Sequence, residues 1–338
     1  MKRVTIKDIA SHLHLSTSTV SRALVDDKNI RRETRDRILA AADELGYRPN
    51  PVAKNLKYGR TNTIGMIVPE LVTPFAAEVS KGVKSVFYPL GMKVLLADSE
   101  EDSAKELENL RMMERFMVDG IIISICDYKR NMNEFGDLMR KGMPIVFYDR
   151  IPQGLEASRV VVDDYTKSFF LTERLIRDGR RRIVFLKGPD CIYNSHERCR
   201  GYREAMHKFG LSTGGLILDG GIRYSDGLAA AGQIHAAAPD ADAVFAFTDI
   251  VGIAAMNRLR ELGHRIPEDI AVASFSGTVL SEMVYPMLTT VEAPLRHMGR
   301  EAAHLLLRLI DNPSAAPSVI TVDADIVMRA STETRPTT

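Results

Sequence analysis

The sequence predicts an all-α helix-turn-helix head joined to an α/β body of two Rossmann-like lobes with doubly wound parallel sheets. Residues 5–46 carry three short amphipathic helical patterns and no strand signal. From Ile64 onward, short apolar runs alternate with amphipathic helices, which is the pattern of right-handed βαβ units. A chain of 338 residues also exceeds one ordinary hydrophobic core, so more than one domain is expected.

Each helix of the head has a recognisable beginning or end. Thr5 can cap the first helix and Ser16 the second, because a hydroxyl at this position accepts a hydrogen bond from the first turn. The third helix begins near Glu33, and Gly46 ends it. Apolar residues recur at the helical period in all three helices, which predicts a three-helix bundle.

The body has candidate strands that alternate with candidate helices. β-Branched and apolar runs predict strands at residues 64–68, 92–97, 120–125, 144–148, 182–187, 243–247 and 270–275. Amphipathic patterns predict helices near residues 75–90, 103–118, 165–179, 198–209, 225–238, 250–263 and 296–310. Ligands of such sheets bind at the carboxyl ends of the strands, so the cleft between the two lobes is the expected binding place.

The composition is that of a soluble cytoplasmic protein. Hydrophobic residues make up 45% of the chain and charged residues 26%, and no apolar run is long enough to span a bilayer. The first residues lack the apolar core of a secretory signal, which favours the cytoplasm. Cys126, Cys191 and Cys199 form no disulfide framework and are expected to be free thiols.

Basic charge is concentrated at the beginning of the chain. Residues 1–60 contain 13 Lys and Arg against 7 Asp and Glu, although the net charge of the whole chain is only +1. The remaining residues are therefore net acidic. A basic head on an acidic body favours a polyanionic partner such as DNA.

The second helix of the head carries side chains suited to reading a major groove. Thr17, Ser18 and Arg22 are on its exposed face, and a bidentate arginine discriminates guanine by about 1 to 3 kcal/mol. Four further hydroxyls can donate to phosphates, namely Thr5, Ser16, Thr19 and Ser21. Since one head reads only a few base pairs, a homodimer on a palindromic site in double-stranded DNA is expected. An ordinary solvated helical bundle is the alternative interpretation.

A proline-containing segment, RPNPVAKNLKYGRTNT at residues 48–63, follows the head. Pro49 and Pro51 end the third helix, and residues 52–57 can form one or two helical turns. So short a helix is marginal by itself in water. It is expected to order only when something packs against it.

Several motifs of the chain are highly specific. They are VTIKDIASHLHLSTSTVSRAL and ETRDRILAAADELGYRPN in the head, PVAKNL after it, and TPF, VDGIII, YDR, GP followed by GYREAM, TDI, IPEDIAV and PMLTTV in the body. Over nearly the whole chain they resemble the LacI-type family, which includes the lactose and purine repressors. The resemblance implies a ligand-responsive transcriptional regulator, expected to be a repressor, with a body like the periplasmic binding proteins.

The resemblance implies further DNA contacts and gives the segment after the head a role as a hinge. Thr34 and Tyr47 would contact phosphates, and Thr17, Ser18 and Arg22 would occupy the family's base-reading positions. The hinge would lie in the minor groove, where its leucine from each subunit wedges into a central base step. The hinge residues expected to contact the minor groove are Asn50, Ala53, Leu56 and Lys57, and Leu56 is the wedging leucine.

The same resemblance implies the domain organisation. Residues 1–48 would form the helix-turn-helix domain, residues 49–62 the hinge helix and linker, and residues 63–338 the domain for effector binding and dimerisation. The amino-terminal lobe would comprise about 63–161 and 293–320, and the carboxyl-terminal lobe about 162–292 and 321–331. The tail beyond residue 330 has no heptad pattern, so a dimer without a tetramer-forming coiled coil is expected.

The chain departs from the family pattern at the head turn and in the ligand cleft. His14 stands where glycine is usual, and we expect the turn to form because histidine tolerates a left-handed backbone better than most residues. In the cleft, Ser276 replaces a common aspartate and Thr248 a usual asparagine. The remaining cleft residues suit a polar neutral or weakly anionic metabolite: Phe75, Asp149, Arg150, Asn194, Arg198, Ile222, Asp249 and Ser276.

The expected effector is a sugar or sugar derivative, and a nucleobase or nucleoside corepressor is the alternative. Each cleft residue has a structural alternative as well, since an aspartate before a loop is often a helix cap and Arg150 can be a solvated rim residue.

The sequence indicates no enzyme, cofactor or metal site. GxGxxG after the early strands, GxxxxGK[ST], HExxH and GxSxG are all lacking. Cys191, His196 and Cys199 are close in sequence but lack the second half of a zinc site. Two other classes of protein are the alternatives. A two-lobed sugar-binding transport protein would need a signal peptide, and a nucleotide-dependent enzyme would need a phosphate loop.

Overall fold

The computed structural model describes residues 4–25, 27–47 and 60–333, and it divides into a head, Met1–Thr61, and a body, Asn62–Thr338. The described part of the head contains α1 (Ile6–Leu13), α2 (Thr17–Ala23) and α3 (Arg32–Glu44). Ile9, Val20 and Ile38, one from each helix, are fully buried against one another. The predicted three-helix bundle is therefore confirmed.

Local backbone chemistry explains where the first two helices begin. Thr5 and Ser16 are at the predicted N-cap positions, and Ser16 Oγ accepts from the Thr19 N–H at 3.1 Å. The Thr5 hydroxyl does not accept from the first turn as predicted: both it and the Thr5 N–H donate to Asp8 Oδ2, at 2.7 Å. His14 lies between α1 and α2 with φ +54°. The turn thus forms in the left-handed conformation without glycine, as the sequence predicts.

The first sheet of the body is parallel throughout. Its strands are β1 (Thr63–Val68), β2 (Lys93–Asp98), β3 (Gly120–Ile123), β4 (Ile145–Tyr148), β5 (Ser158–Val161) and β11 (Val319–Thr321). They lie in the order β11-β5-β4-β3-β1-β2. The central strands β3 and β4 are buried at every position, as expected of a parallel sheet covered on both faces.

The second sheet is parallel except at one edge strand, so the predicted parallel-sheet lobe is confirmed. Its strands are β6 (Ile183–Lys187), β7 (Ile217–Asp219), β8 (Ala243–Ala246), β9 (Ala271–Ser276), β10 (Thr289–Glu292) and β12 (Asp325–Val327), in the order β12-β10-β9-β8-β6-β7. Only β12 is antiparallel, to β10. The reason is connectivity, since β12 continues from β11 of the other sheet and enters from the opposite direction.

Eight α-helices of the described body cover the two sheets. They are α4 (Pro74–Phe87), α5 (Ser103–Arg115), α6 (Met132–Arg140), α7 (Asp164–Arg177), α8 (Tyr193–Lys208), α9 (Tyr224–Ala237), α10 (Asp249–Glu261) and α11 (Leu295–Asp311). Short 3₁₀ helices lie at Tyr88–Leu90 and Val279–Ser281. None of the helices among the described residues has the length and apolarity needed to cross a membrane.

The chain passes between the two lobes three times within residues 60–333. Strands β1 to β5 belong to the first sheet and β6 to β10 to the second, after which β11 returns to the first and β12 to the second. Helix α11 packs against α4 and against strands β3, β4 and β5, so it belongs to the first lobe.

The structure contains five strands and one helix of the body that the sequence patterns did not indicate. The strands β5, β7, β10, β11 and β12 are only three or four residues long, and α6 spans nine residues. The predicted strands β3, β4 and β8 also have only four residues, but they are apolar runs buried at every position. Each of the five missed strands has partly exposed positions, and its backbone becomes a strand because a neighbouring strand pairs with it.

Candidate DNA-reading surface and effector cavity

The residues predicted to read base edges lie on the solvent-facing side of α2. Thr17, Ser18 and Arg22 are exposed, and the Arg22 Nε–H reaches Ser18 O only at 3.4 Å. Ser16 Oγ lies 2.8 Å from the hydroxyls of both Ser18 and Thr19, which orders the first turn. The surface therefore presents hydroxyl groups in the first turn of α2 and one arginine in its last turn.

The other predicted DNA contacts are distributed over the head. Thr5 is exposed at the start of α1, whereas Thr19, Ser21, Thr34 and Tyr47 are half-buried. Burial raises the pKa of the Tyr47 hydroxyl above its ordinary value, so this group stays a neutral donor near pH 7. The predicted hinge contacts lie outside the described residues: Asn50, Ala53, Leu56 and Lys57.

A cavity of about 580 Å³ opens in the body at the carboxyl ends of strands from both sheets. On the first lobe, Pro69 follows β1 and Ser124 follows β3. On the second lobe, Phe247 follows β8 and Ser276 ends β9. This is the place where open parallel sheets bind their ligands.

All the residues predicted for the cleft line this one cavity: Phe75, Asp149, Arg150, Asn194, Arg198, Ile222, Asp249 and Ser276. They come from both lobes and from distant parts of the sequence. The fold therefore brings the whole predicted set together.

Arg198, on α8, is held from two directions and is only 5% exposed. Its Nε–H donates to Asp164 Oδ1 and its Nη1 group to Phe247 O, both at 2.7 Å. Its guanidinium carbon lies 3.8 Å from the centroid of the Phe275 ring. Because these contacts use two of five N–H donors within the described part of the chain, others can reach a ligand in the cavity.

Asp149 follows β4 in a left-handed conformation, with φ +56°. Its closest side-chain donor among the described residues is Asn194 Nδ2, at 3.4 Å from Oδ1, whereas Asn194 lies 2.9 Å from Asp164 Oδ2. Burial raises the pKa of Asp149 to about 6, although Arg150 and Arg198 act in the opposite direction. The result is a half-buried acceptor that the described residues satisfy poorly.

Arg150 is paired inside the first lobe. Its Nη1 and Nη2 groups donate to the two carboxylate oxygens of Glu101 at 2.7 and 2.9 Å. The two side chains are 14% and 15% exposed. A bidentate pair in this environment orients both groups strongly, so Arg150 lines the cavity as part of an ion pair and not as a solvated rim residue.

Asp249 is surrounded by donors from the second lobe. Its Oδ1 accepts from Ser274 Oγ at 2.7 Å and Thr290 Oγ1 at 2.8 Å. Its Oδ2 accepts from the Thr278 N–H at 2.6 Å and from Thr278 Oγ1 at 2.9 Å. Desolvation raises the pKa of Asp249, and these four hydrogen bonds act against that increase. Asp249 thereby ties the loop after β9 to the sheet.

Phe75, Ile222 and Ser276 complete the predicted set. Phe75 is half-buried at the start of α4, and Ile222 is half-buried after β7. Ser276 has φ +121°, a conformation that L-residues rarely adopt, and the next residue, Gly277, has φ +62°. The backbone is thus strained where it borders the cavity, which is typical of functional sites.

Sequence reasoning missed two hydroxyl-bearing residues of the cavity wall, Ser124 and Tyr148, and named a third, Thr248, only as a departure from the family pattern. Ser124 Oγ, Tyr148 Oη and Thr248 Oγ1 are buried and have no hydrogen-bond partner among the described residues. Tyr148 ends β4, Ser124 directly follows β3, and Thr248 lies two residues after β8. That position was the available signal, because strand ends face the cleft in this fold.

Two family models match the chain. "Bacterial regulatory proteins, lacI family" matches residues 5–50, and "Periplasmic binding protein-like domain" matches residues 172–332. The HTH-type transcriptional repressor PurR of Vibrio atlanticus (strain LGP32) is 32% identical over 331 residues, which cover 98% of this chain and 99% of the relative. The chain belongs to the lacI family.

Solved structures agree with this lacI-family assignment. A transcriptional regulator CelR-cellobiose complex is 30% identical, with a TM-score of 0.75 over 97% of this chain and 100% of that one. The lac repressor dimer bound to operator and the anti-inducer ONPF has a TM-score of 0.85 over 98% of this chain and 99% of that one. At 22% identity, that second likeness shows the fold.

Family membership makes the chain a DNA-binding transcriptional repressor and not an enzyme. It thereby sets aside the transport-protein and nucleotide-enzyme alternatives. It also agrees with the cytoplasmic location that the sequence predicts for this lacI-family repressor.

Proposed function

We propose that this repressor binds a pseudo-palindromic operator in double-stranded DNA as a homodimer, and that a small-molecule effector in the cavity controls its operator affinity. The observation that carries the proposal is the cavity of about 580 Å³ lined by residues of both lobes. A ligand that touches both lobes favours one angle between them. Such a ligand shifts the population of the body toward that angle.

The sequence-derived domain division supplies a route from effector to DNA. In this division, residues 1–48 are the head, 49–62 the hinge, and 63–338 the body, with lobes at about 63–161 plus 293–320 and 162–292 plus 321–331. A change of lobe angle alters the spacing of the two hinges in a dimer and hence their ordering in the minor groove. Couplings of this kind amount to about 1 to 3 kcal/mol, or about 5- to 150-fold in affinity.

On the DNA side, Thr17, Ser18 and Arg22 are the proposed base-reading residues. Their exposure on one face of α2 supports this role. The proposed phosphate contacts are Thr5, Ser16, Thr19, Ser21, Thr34 and Tyr47. The proposed minor-groove contacts are Asn50, Ala53, Leu56 and Lys57, with Leu56 as the wedge.

On the effector side, Arg198, Asp149 and Asn194 are the proposed hydrogen-bonding contacts. Phe75 and Ile222 supply apolar surface, while Ser276 and Arg150 complete the wall. Asp249 acts through a loop and not by direct contact with the effector. Since both of its oxygens accept hydrogen bonds from the protein, we assign it to positioning the loop at Thr278.

The proposed effector is a sugar or sugar derivative. The polar residues of the cavity wall, among them Asp149, Asn194 and Arg198, support it, since they can hydrogen-bond a ligand with many hydroxyl groups. The structure of CelR with cellobiose, 30% identical over nearly the whole chain, supports the same class. A nucleobase or nucleoside corepressor is the second candidate, and the name PurR shared by relatives about as similar favours it.

Operator selection followed by binding measurements tests the DNA half of the proposal. The full-length protein is expected to enrich one palindromic sequence from random duplexes. Arg22→Ala should weaken binding to that sequence by about 1 to 3 kcal/mol while leaving random-duplex binding little changed. Arg37→Ala, which removes an exposed arginine from α3, is the matched control for charge. Equal loss in both variants would show that Arg22 reads no base.

A thermal-shift screen of sugars, sugar acids, polyols, nucleobases and nucleosides tests the effector half. Each compound that raises the melting temperature is then added to the operator-binding assay. We expect a compound that changes operator affinity about 5- to 150-fold, and the direction of the change identifies it as inducer or corepressor. Binding compounds that all leave operator affinity unchanged would refute the allosteric mechanism.

A further inference from the structure

The outer side of α8 borders a second cavity in the second lobe. We infer that this cavity is an anion-binding site for a phosphate group, either free phosphate or the phosphate of a small metabolite, and that it is separate from the effector cavity. Its volume is about 340 Å³, within the size range of small-molecule sites. Six residues line it: Lys187, His196, Cys199, Arg200, Arg203 and Glu204.

Helix α8 presents a different side to each of the two cavities. Its residues in the lining of the second cavity recur at intervals of three and four positions, at 196, 199, 200 and 203, and so form one stripe along the helix. Asn194 and Arg198, which line the effector cavity, lie on the opposite side of the helix. The two cavities are therefore different sites.

The wall of the second cavity is basic. Lys187, Arg200 and Arg203 carry positive charge, whereas the lining within residues 60–333 contains a single carboxylate, that of Glu204. Arg200 Nη1 lies 3.8 Å from Glu204 Oε1, and Arg200 Nη2 donates to Glu197 Oε2 at 2.6 Å. Carboxylates of the protein thus engage Arg200. The positive charge left for a ligand is that of Lys187 and Arg203.

These two cations converge on one point of the wall, the thiol of Cys199. Cys199 is only 4% exposed, and burial raises the pKa of its thiol, while Arg203 and Lys187 act in the opposite direction. Because electrostatic interactions weaken with distance, both cations lie close to this one sulfur atom. The raised pKa keeps the thiol neutral near pH 7, so it does not repel an anion.

Both cations are available to a ligand. Arg203 is exposed and has no hydrogen-bond or ion-pair partner in the part of the chain that the structure describes. Lys187 forms an ion pair with Asp190, whose side chain is 79% exposed. Such a pair is weak because water competes for the exposed carboxylate. A phosphate dianion has several acceptor oxygens and can hold the arginine fork and the lysine ammonium at once.

The second cavity lies beside a contact between the two lobes. His196 Nε2 donates to Asp190 O at 2.9 Å, and the His196 ring lies edge-on to the ring of Tyr128, from the first lobe, at a centroid distance of 5.9 Å. The Tyr128 N–H donates to Cys191 O at 3.0 Å. An anion bound here favours the conformation in which this wall is formed. On the basis of the proposed control of operator affinity by the body, the anion is therefore a second input to that affinity.

Titration calorimetry of the full-length protein with inorganic phosphate tests the site, with chloride holding the ionic strength constant. Glycerol 3-phosphate is the organic probe, and glycerol is its counterpart without phosphate. We expect saturable binding of at least one phosphate probe and none of glycerol. Lys187→Gln and Arg203→Gln should each weaken binding about fivefold, and the double variant at least about 20-fold.

Two variants are matched controls for the loss of one positive charge. Arg223→Gln removes an exposed arginine at the rim of the effector cavity, and Arg111→Gln removes an exposed arginine from α5 in the first lobe. Both should bind the phosphate probes as the parent does. Binding that persists in the folded double variant, or that falls equally in Arg223→Gln, places the anion elsewhere and overturns the site. Binding of neither probe overturns it as well.

Operator affinity with and without the phosphate probe that binds tests the regulatory role, again at constant ionic strength. We expect a change of at least about fivefold in the parent and none in the double variant, which should still bind operator. Phosphate binding without any change of operator affinity overturns the regulatory role but leaves the site. Failure of effector control from the other cavity would leave the phosphate titration unaffected, so the two failures are distinguishable.

Discussion

Asp149 and Asp249 show how one residue type serves two purposes in the same cavity wall. Asp249 accepts four hydrogen bonds of 2.6 to 2.9 Å from the protein, whereas the closest side-chain donor to Asp149 within residues 60–333 lies at 3.4 Å. Desolvation acts on both carboxyl groups and raises the pKa of each. Their hydrogen-bond partners differ. The satisfied carboxylate of Asp249 stabilises a loop, whereas the poorly satisfied carboxylate of Asp149 is available to a ligand.

Asp249→Ala is expected to lower the free energy of unfolding by about 3 kcal/mol, because it leaves the Thr278 N–H and three hydroxyls without their acceptor. Asp249→Asn should cost less, since hydroxyl groups can rotate to accept from the new amide while its oxygen still faces the Thr278 N–H. Urea denaturation measures both. Asp137→Ala is the exposed control, and an equal loss there would contradict the role given to Asp249.

The raised pKa of Asp149 predicts a pH-dependent stability difference between the protein and its Asp149→Asn variant. Folding raises this pKa from 3.8 to about 6, so the folded state favours the protonated acid. The penalty is absent below about pH 4, grows as pH rises, and is complete above about pH 6. The variant should therefore gain about 1 to 3 kcal/mol relative to the parent between pH 4 and 7. Denaturation curves at several pH values measure this gain, and a difference that does not change with pH would refute it.

At the scale of elements, the contact between α4 and α11 holds the first lobe together. A Cβ atom on Gly299 would lie 2.1 Å from Val79 O, and one on Gly82 would lie 2.2 Å from Arg296 O. The two helix backbones thus touch at positions where only glycine fits. Helix α11 follows β10, the strand at which the chain leaves the second lobe. Its contact with α4 therefore also holds the chain in place after one of its three passages between the lobes.

Gly299→Ala is expected to destabilise the body by about 3 kcal/mol, because the added methyl group must push two buried helix backbones apart. Gly232→Ala is the matched control: Gly232 lies in α9 with nothing within 4 Å of the added Cβ. That substitution should stabilise by about 0.5 to 1 kcal/mol through helix propensity. Thermal melts of both variants compare them, and two changes of the same sign would contradict the packing argument.

At the scale of the whole molecule, the chain separates into Met1–Thr61 and Asn62–Thr338. The head has its own core built from all three helices, and the body has its own sheets and cavity. The described residues that we propose for DNA recognition and those that we propose for effector binding therefore lie in different units.

The fragment 62–338 is expected to melt cooperatively and to bind the effector of the full chain with unchanged affinity, because every cavity residue lies within it. It should show no operator retention. The full chain should bind operator with a steep salt dependence, with a slope near −0.9 for each phosphate contacted. Filter binding and calorimetry measure the two activities. Operator binding by the fragment would disprove this separation.

Local chemistry in the sequence by itself determined the N-cap positions Thr5 and Ser16, the left-handed turn at His14 and the seven strands that are apolar runs. Each of these features depends on residues that are near one another in the chain. Family motifs added the set of cleft residues, all of which line the cavity. The hinge contacts Asn50, Ala53, Leu56 and Lys57 stay predictions, since they lie outside the described residues.

Only the tertiary structure decided the short strands, the direction of β12 and the pairing of the cavity arginines. Arg150 meets Glu101 across 49 positions of sequence, and Arg198 meets Asp164 across 34. No periodicity or composition signals such a pair. Its partners approach each other only after the strands have paired and the helices have packed, because the electrostatic interaction depends on distance in space and not along the chain.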